Sequence, residues 1–185
     1  MDRQAVQGND GATVRSLEGA PAADSAIGGA LQFIVFSVGD EQYGVDIMAV
    51  REIKGWSDIT HLPRQPDYVL GVLNLRGVMV PIIDLRCRFG QGRTEATAIH
   101  VVVIVQIEAK LVGLLVDRVL DIVSCEAAAI KPVPNATAVA RVQFLSGLVT
   151  IDGALIALID LAHLLSVEAG AALASGAEKE GASTH

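Results

Sequence analysis

Two aspartates are the residues best suited to chemistry, because they stand at corresponding points of two similar stretches. Asp84 ends the run "VPIID" and Asp160 ends the run "ALIALID". Two carboxylates that share a proton activate water in some hydrolases. Each aspartate also directly precedes a short segment, "LRCRF" or "LAHLLS", where it can cap a helical turn by accepting backbone N–H bonds. We favour the capping role, and a hydrolase that uses the pair is the alternative from a different functional class.

The other reactive side chains show no spacing typical of a catalytic, cofactor or metal site. Ser146 in "FLSGL" lacks the GxSxG elbow, and neither a Walker A motif nor a GxGxxG turn opens a helix. Cys87 and Cys125 lack CxxC spacing, and we expect both to be ordinary packing residues. The histidines have no metal-ligand spacing; they are His61, His100, His163 and His185. The sequence therefore predicts no enzyme, no cofactor and no metal.

Composition and charge exclude two further classes. The 185 residues carry a net charge of −7 without a basic cluster, and only 4% are aromatic, which argues against a nucleic-acid partner. The mean hydropathy is high, at +0.47. However, the longest apolar runs, Val101–Val105 and Leu111–Val116, are far shorter than the roughly 20 residues of a membrane-spanning helix. Since the first residues contain no apolar signal-peptide block, we expect a soluble, cytoplasmic protein without direct membrane insertion.

The elements that must position these residues are mostly β-strands. Residues 31–166 contain runs rich in Val and Ile, separated by short turns such as "GDE" and "EAK". Helical periodicity is present only near residues 160–166. Residues 1–30 are predicted to be a flexible N-terminal arm, and residues 167–185 a flexible C-terminal tail. The sequence predicts a mostly-β domain with a short C-terminal helix.

The two halves of this domain, roughly residues 31–90 and 99–166, resemble each other. An offset of 69 residues aligns Gly44 with Gly113, Val50 with Val119 and Ile53 with Ile122. An offset of 76 aligns Gly71 with Gly147, Gly77 with Gly153 and Asp84 with Asp160. The change in offset predicts a longer loop in the second half, near "IKPVPNATA". We expect two small β barrels or sandwiches built from related sets of strands.

The alignment also explains a charged residue within an apolar stretch, Arg76 in "GVLNLRGVMVPIIDL". The second half has Asp152-Gly153 at the same point, and Asp-Gly between apolar runs predicts a tight hairpin turn. Arg76 and Gly77 should therefore form the equivalent turn, with the guanidinium in water. Arg76 is either a solvated turn residue or an anchor for a partner's carboxylates or carbonyls. Asn74 braces the turn or contacts the partner.

Three blocks of the sequence resemble the CheW family of chemotaxis coupling proteins. They are "FIVFSVGDEQYGVDIMAVREIKGW", "GVLNLRGVMVPIIDLRCRFG" and "VVVIVQIEAKLVGLLVDRVLDIV", and "FLSGLVTIDGALIALIDLAHLLS" fits the last strands and helix. The most specific element is "NLRGVMVPIIDLR", and the resemblance covers about residues 31–166. It implies two related five-stranded SH3-like barrels packed together.

The resemblance also implies a function and the residues that carry it. Members of this family are non-catalytic adaptors that join the cytoplasmic tips of methyl-accepting chemotaxis receptors to the regulatory domain of the histidine kinase CheA, in membrane receptor arrays. By position, Arg76 would face the receptor, with Val50, Glu52 and Asn74 contributing contacts. Gly71 and Gly77 would stay small to shape a strand and a turn. The alternative is a CheW-like adaptor of a non-swimming chemosensory pathway, such as control of twitching or development.

Overall fold

The computed structural model describes residues 29–134 and 140–166, in which ten β-strands dominate. The first five are β1 (Leu31–Val38), β2 (Glu41–Asp46), β3 (Val50–Gly55), β4 (Val69–Leu75) and β5 (Val78–Asp84). The last five are β6 (Val101–Ile107), β7 (Lys110–Val116), β8 (Arg118–Cys125), β9 (Leu145–Ile151) and β10 (Ala154–Ile159). Two short helices, α1 (Leu85–Arg88) and α2 (Leu161–Ser166), follow β5 and β10. Three 3₁₀ turns occupy Ile47–Ala49, Ala127–Ala129 and Ala140–Phe144.

The strands form two five-stranded sheets of the same design. Sheet 1 has the order β8-β1-β2-β10-β9, and sheet 2 has the order β3-β6-β7-β5-β4. Adding five to each strand number, or subtracting five, converts one order into the other. Each sheet contains one parallel pair, β2 with β10 or β5 with β7, and the other neighbours are antiparallel. This confirms the predicted mostly-β fold with two related five-stranded units and a short C-terminal helix.

The boundaries of the sheets are not the boundaries of the two related halves. Sheet 1 combines the first two strands of the first half with the last three strands of the second half. Sheet 2 combines the first two strands of the second half with the last three strands of the first half. The related halves, roughly residues 31–90 and 99–166, are therefore not the two sheets, since each sheet draws on both halves. The two halves are joined by the parallel pairs β2 with β10 and β5 with β7, and by the pairs β1 with β8 and β3 with β6.

A short bridge closes each sheet by joining the chain that follows its first edge strand to its other edge strand. In sheet 2, Thr60 and Val72 of β4 exchange two backbone hydrogen bonds of 2.9 and 2.8 Å. In sheet 1, Lys131 and Leu148 of β9 do the same at 2.7 and 2.8 Å. Gly71 lies beside the first bridge, where a Cβ atom would overlap the carbonyl oxygen of Thr60. The pairing gives each sheet the closed, barrel-like form that the family resemblance implies.

The core has three parts, and β1 and β6 contribute to two of them each. Alternate residues of β1 face the interior of sheet 1 or a larger cluster that both sheets share, as Phe33 and Ile34 do. Val102 and Val103 of β6 divide in the same way between the interior of sheet 2 and the shared cluster. Both faces of these strands are thus buried, which explains the continuous apolar runs "FIVF" and "VVVIV".

Some predictions concern residues that lie outside the described part of the chain. These are the N-terminal arm, apart from its last two residues, and the tail at 167–185. The loop between β8 and β9, residues 126–144, is longer than the loop between β3 and β4, residues 56–68, as the change in offset predicts. Among the residues described, no helix has the length and apolar character needed to cross a membrane.

Candidate functional site

The tip of the β4–β5 hairpin is a tight turn that projects Arg76 into solvent. Arg76 and Gly77 have φ values of 51° and 87°, and the equivalent Asp152 and Gly153 have 50° and 80°. Positive φ at both central positions is typical of a type I′ turn, whose twist matches that of the flanking strands. Asn74 braces the turn, because its Oδ1 accepts a hydrogen bond of 2.8 Å from the backbone N–H of Gly77.

Arg76 forms an ion pair with Glu52 of β3, 24 positions earlier in the chain. The Nη2 group donates to Oε2 of Glu52 at 2.8 Å, and the exposed fractions of the two side chains are 76% and 30%. The structure therefore brings together two of the residues that the resemblance marks as partner-binding. Because the pair is open to water, it contributes little to stability, on the order of 0–1 kcal/mol.

A β-bulge in β3 decides which way Val50 and Glu52 face. The pairing with β6 runs Val50 to Val105 and then Glu52 to Ile104, so that Arg51 is the extra residue. Opposite residues of an antiparallel pair share a face of the sheet. Val105 belongs to the core cluster between the sheets and Ile104 to the interior of sheet 2. Val50 and Glu52 thus lie on opposite faces, and Val50 packs against the shared core.

Exposed apolar side chains adjoin the Arg76–Glu52 pair in sequence. Val78 and Met79, directly after the turn, are 51% and 62% exposed, and Ile53, directly after Glu52, is 43% exposed. Large apolar residues next to an arginine are more typical of protein–protein interfaces than of an ordinary polar surface. We call Asn74, Arg76, Val78, Met79 and Glu52 the hairpin surface. The feature that sequence inspection missed is the exposure of Val78 and Met79, which strand alternation alone could not assign.

The two aspartates that open the helices are engaged in hydrogen bonds. Asp84 is fully buried and accepts from the N–H of Cys87 at 3.3 Å, the N–H of Thr94 at 2.6 Å and the Thr94 hydroxyl at 2.7 Å. Asp160 accepts from the N–H of His163 at 3.0 Å and pairs with its ring Nδ1 at 2.8 Å. Each carboxylate caps its helix, and the burial of Asp84 leaves it without access to water that a hydrolase would activate.

Neither cysteine is an activated thiol. Both are free, and burial raises the pKa of each above the ordinary value of 9.0. The carboxylates of Asp84 and Asp67 raise the pKa of Cys87 further, against a smaller lowering by Arg93. A reactive cysteine needs a lowered pKa, so both behave as packing residues. Within the described ranges, no group of His, Cys, Asp and Glu side chains is arranged to hold a metal ion.

Two arginines of α1 join parts of the chain that the sequence did not connect. Arg88 lies between the rings of Tyr68 and Phe144, 4.2 and 4.5 Å from their centroids, and donates to the carbonyl oxygen of Leu164. Tyr68 and Phe144 are equivalent under the offset of 76 residues. Arg86 pairs with Asp117 at 2.7 Å. These contacts join α1 to α2 and the first half of the chain to the second.

Similarity to known protein families identifies the family of this chain. The sequence model of the CheW-like domain matches residues 32–169, which include all ten strands apart from the first residue of β1. The chain belongs to the CheW family. The probable chemotaxis protein CheW of Rhizobium etli is 44% identical over 135 residues, covering 73% of this chain and 87% of its own. The chemotaxis protein CheW of Rhizobium meliloti is 42% identical over 140 residues, covering 76% and 90%.

A solved CheW structure has the same fold. The scaffolding protein TtCheW from Thermoanaerobacter tengcongensis superimposes with a TM-score of 0.69 at 34% identity, over 76% of this chain and 90% of its own. These comparisons confirm the resemblance on which the expected adaptor function depends. They also replace the hydrolase alternative, since the CheW family consists of adaptors rather than enzymes. The hairpin surface lies within the residues that the family model matches.

Proposed function

We propose that this protein is a non-catalytic adaptor that couples methyl-accepting chemotaxis receptors to a CheA-type histidine kinase and is recruited to membrane receptor arrays. The observation that carries the proposal is the family match over residues 32–169, together with relatives named for chemotaxis. The cytoplasmic tip of the receptors and the regulatory domain of the kinase are the partners that the family resemblance implies.

Within that function, we assign the receptor contact to the hairpin surface. Arg76 offers donors to the partner, Glu52 fixes and neutralises it, and Asn74 holds the turn from which it projects. Val50 acts indirectly, because it packs against the core and so sets the position of β3. The exposed Val78 and Met79 supply the apolar area that an adaptor hides on binding.

The function is tested by calorimetric titration of the full chain with the regulatory domain of a CheA-type kinase from the same organism. We expect binding near one to one at micromolar affinity, which corresponds to about −8 kcal/mol. Absence of heat at high concentration would contradict the chemotaxis assignment and favour the kinase of a non-swimming chemosensory pathway, which the same titration can examine.

The assignment of the receptor contact is tested by Arg76→Ala, with Arg76→Asn as a companion that suits the turn. We expect both to weaken binding of a receptor cytoplasmic hairpin about tenfold, a loss of roughly 1–2 kcal/mol, because the donors are removed. The measurement is a titration, with thermal unfolding as the check on folding.

Asp152→Asn is the matched control, since it changes the equivalent turn of sheet 1. Equal affinity of the wild type and both Arg76 variants would remove the receptor from the hairpin surface.

A further inference from the structure

The Arg76–Glu52 pair is electrically neutral, yet both of its members keep unused hydrogen-bonding capacity. The guanidinium has five N–H donors and the carboxylate has two acceptor oxygens. One contact joins them, Nη2 to Oε2 at 2.8 Å. Across the described part of the chain, neither side chain makes a second hydrogen bond. The surface therefore shows free donors directly beside a free acceptor.

The two side chains are held differently, which fixes where donor and acceptor lie. Glu52 is less exposed than Arg76 and lies on a strand, at a position set by the bulge at Arg51. Arg76 is mostly exposed and extends from the turn towards that fixed carboxylate. A partner group that approaches this surface thus meets the Glu52 carboxylate at a position set by β3. Beside it lie the N–H donors of Arg76, which the carboxylate orients.

The chemistry of this pair selects among the side chains that a partner could present. A lone carboxylate would gain the guanidinium but would lie within a few ångströms of the Glu52 carboxylate, which repels it. A lone ammonium would be attracted by the Glu52 carboxylate but repelled by the guanidinium of Arg76. A second ion pair would bring four charges out of water, and the cost of removing charges from water often exceeds their attraction. A carboxamide suits both members, because its oxygen accepts from Arg76 while its NH₂ group donates to Glu52.

We infer that Arg76 and Glu52 together read a neutral carboxamide, an Asn or Gln side chain, on the receptor tip. The inference rests on the proposed function, which assigns the receptor to the hairpin surface. It makes Glu52 a determinant of specificity, and not merely the group that keeps Arg76 in place.

The first test is Glu52→Gln, measured by titration with the cytoplasmic hairpin of a methyl-accepting receptor from the same organism. We expect affinity to fall three- to tenfold, because the charged acceptor for the carboxamide is lost. If the receptor instead presented a carboxylate, removal of the Glu52 charge would relieve repulsion and raise the affinity. A gain would therefore overturn the inference.

The second test is the exchanged double variant Arg76→Glu with Glu52→Arg. A carboxamide can rotate by half a turn and swap its oxygen and NH₂ group, so we expect the double variant to regain affinity to within about threefold of the wild type. Arg76→Glu alone, which places two carboxylates side by side, should bind at least tenfold more weakly. Failure of the double variant to recover, with its unfolding temperature unchanged, would contradict the inference.

The dependence on salt gives an independent readout. A neutral group on a neutral pair adds little to the screening of charges by salt, which acts over roughly 10 Å at 0.1 M. We expect the same slope of log affinity against log salt for the wild type and Arg76→Ala. A shallower slope in the variant would show that Arg76 meets a net negative group.

These outcomes separate the inference from the function beneath it. Absence of wild-type binding, or no effect of Arg76→Ala, counts against the proposed receptor contact. A loss with Arg76→Ala combined with a gain for Glu52→Gln leaves that contact standing and overturns only the carboxamide. Lys54→Gln, on the same strand, is the control for removing one charge from β3.

Discussion

Residues at equivalent positions have different roles in the two halves of this domain. Asp84 is fully buried and has three hydrogen bonds, whereas Asp160 lies near the surface and shares its carboxylate with His163. The turn residues have diverged as well, since Arg76 is paired with Glu52, whereas Asp152 forms no ion pair with any residue that the structure describes. Similar backbones therefore carry dissimilar chemistry, and each residue has to be judged by its own contacts.

The cap at Asp160 predicts an acid-sensitive contribution to stability. Burial raises the pKa of Asp160, but hydrogen bonds from the backbone and ring of His163 outweigh it and hold the pKa below the ordinary 3.8. As the pH falls below 3.8, Asp160 becomes protonated in the unfolded chain while it stays ionised in the folded protein. The free energy of unfolding therefore loses the contribution of this carboxylate. We expect Asp160→Ala to cost about 1 kcal/mol at pH 7 and progressively less below pH 3.8.

Urea unfolding at several pH values measures this difference. Asp58→Ala, at an exposed position outside the strands, is the control for loss of a carboxylate. A penalty for Asp160→Ala that stays constant down to the acid-unfolding limit would contradict the assigned lowering of the pKa.

At the scale of the elements, the sequence predicts a hairpin turn well and a contact between distant strands poorly. The Arg76-Gly77 turn followed from its alignment with Asp152-Gly153, because tight turns depend on local residue preferences. The pairing of Arg76 with Glu52 did not follow, since it depends on the closure of sheet 2 and on a bulge at Arg51. A bulge inserts one residue without a reliable signature in a single sequence.

The bridge that closes sheet 2 predicts that replacement of Gly71 destabilises the protein. A Cβ at this position would overlap the carbonyl oxygen of Thr60, and its φ of 153° also disfavours other residues. We expect Gly71→Ala to destabilise the protein by about 1–3 kcal/mol, because the bridge to Val72 must open or shift. Thermal or denaturant unfolding checks this.

Gly55→Ala is the matched control, since a Cβ there meets no atom within 4 Å. Its stability should equal or slightly exceed that of the wild type, as is usual for glycine in a strand. A Gly71→Ala variant as stable as Gly55→Ala would show that the bridge does not need the glycine.

At the scale of the whole molecule, the repeat was predictable and its assembly was not. The offsets of 69 and 76 residues superimpose β1–β5 on β6–β10. Which strands would join one sheet depends on contacts between distant residues, such as the parallel pairs β2 with β10 and β5 with β7. Arg86 and Arg88 were likewise missed, because Arg86 pairs with Asp117 and Arg88 contacts Phe144, both of which belong to the other half.

The exchange of strands predicts that neither half folds alone. We expect separate fragments 1–95 and 96–185 to lack cooperative unfolding, since each lacks strands of both sheets. Mixed together they should regain the β signal in circular dichroism and the titration behaviour of the intact chain. A cooperative transition in either isolated fragment would contradict this.

The order of strands along the chain also determines when each sheet can form during translation. Sheet 2 uses only strands between residues 50 and 116, so it is complete before β8 leaves the ribosome, whereas β1 and β2 must wait for β8, β9 and β10. The 43 residues from 117 to 159 take roughly 2–9 s to translate at ordinary speeds. During that interval β1 and β2 can pair only with each other, and β1, which is buried on both faces in the folded domain, lacks its other neighbour β8. The nascent chain is then at its most exposed to chaperones.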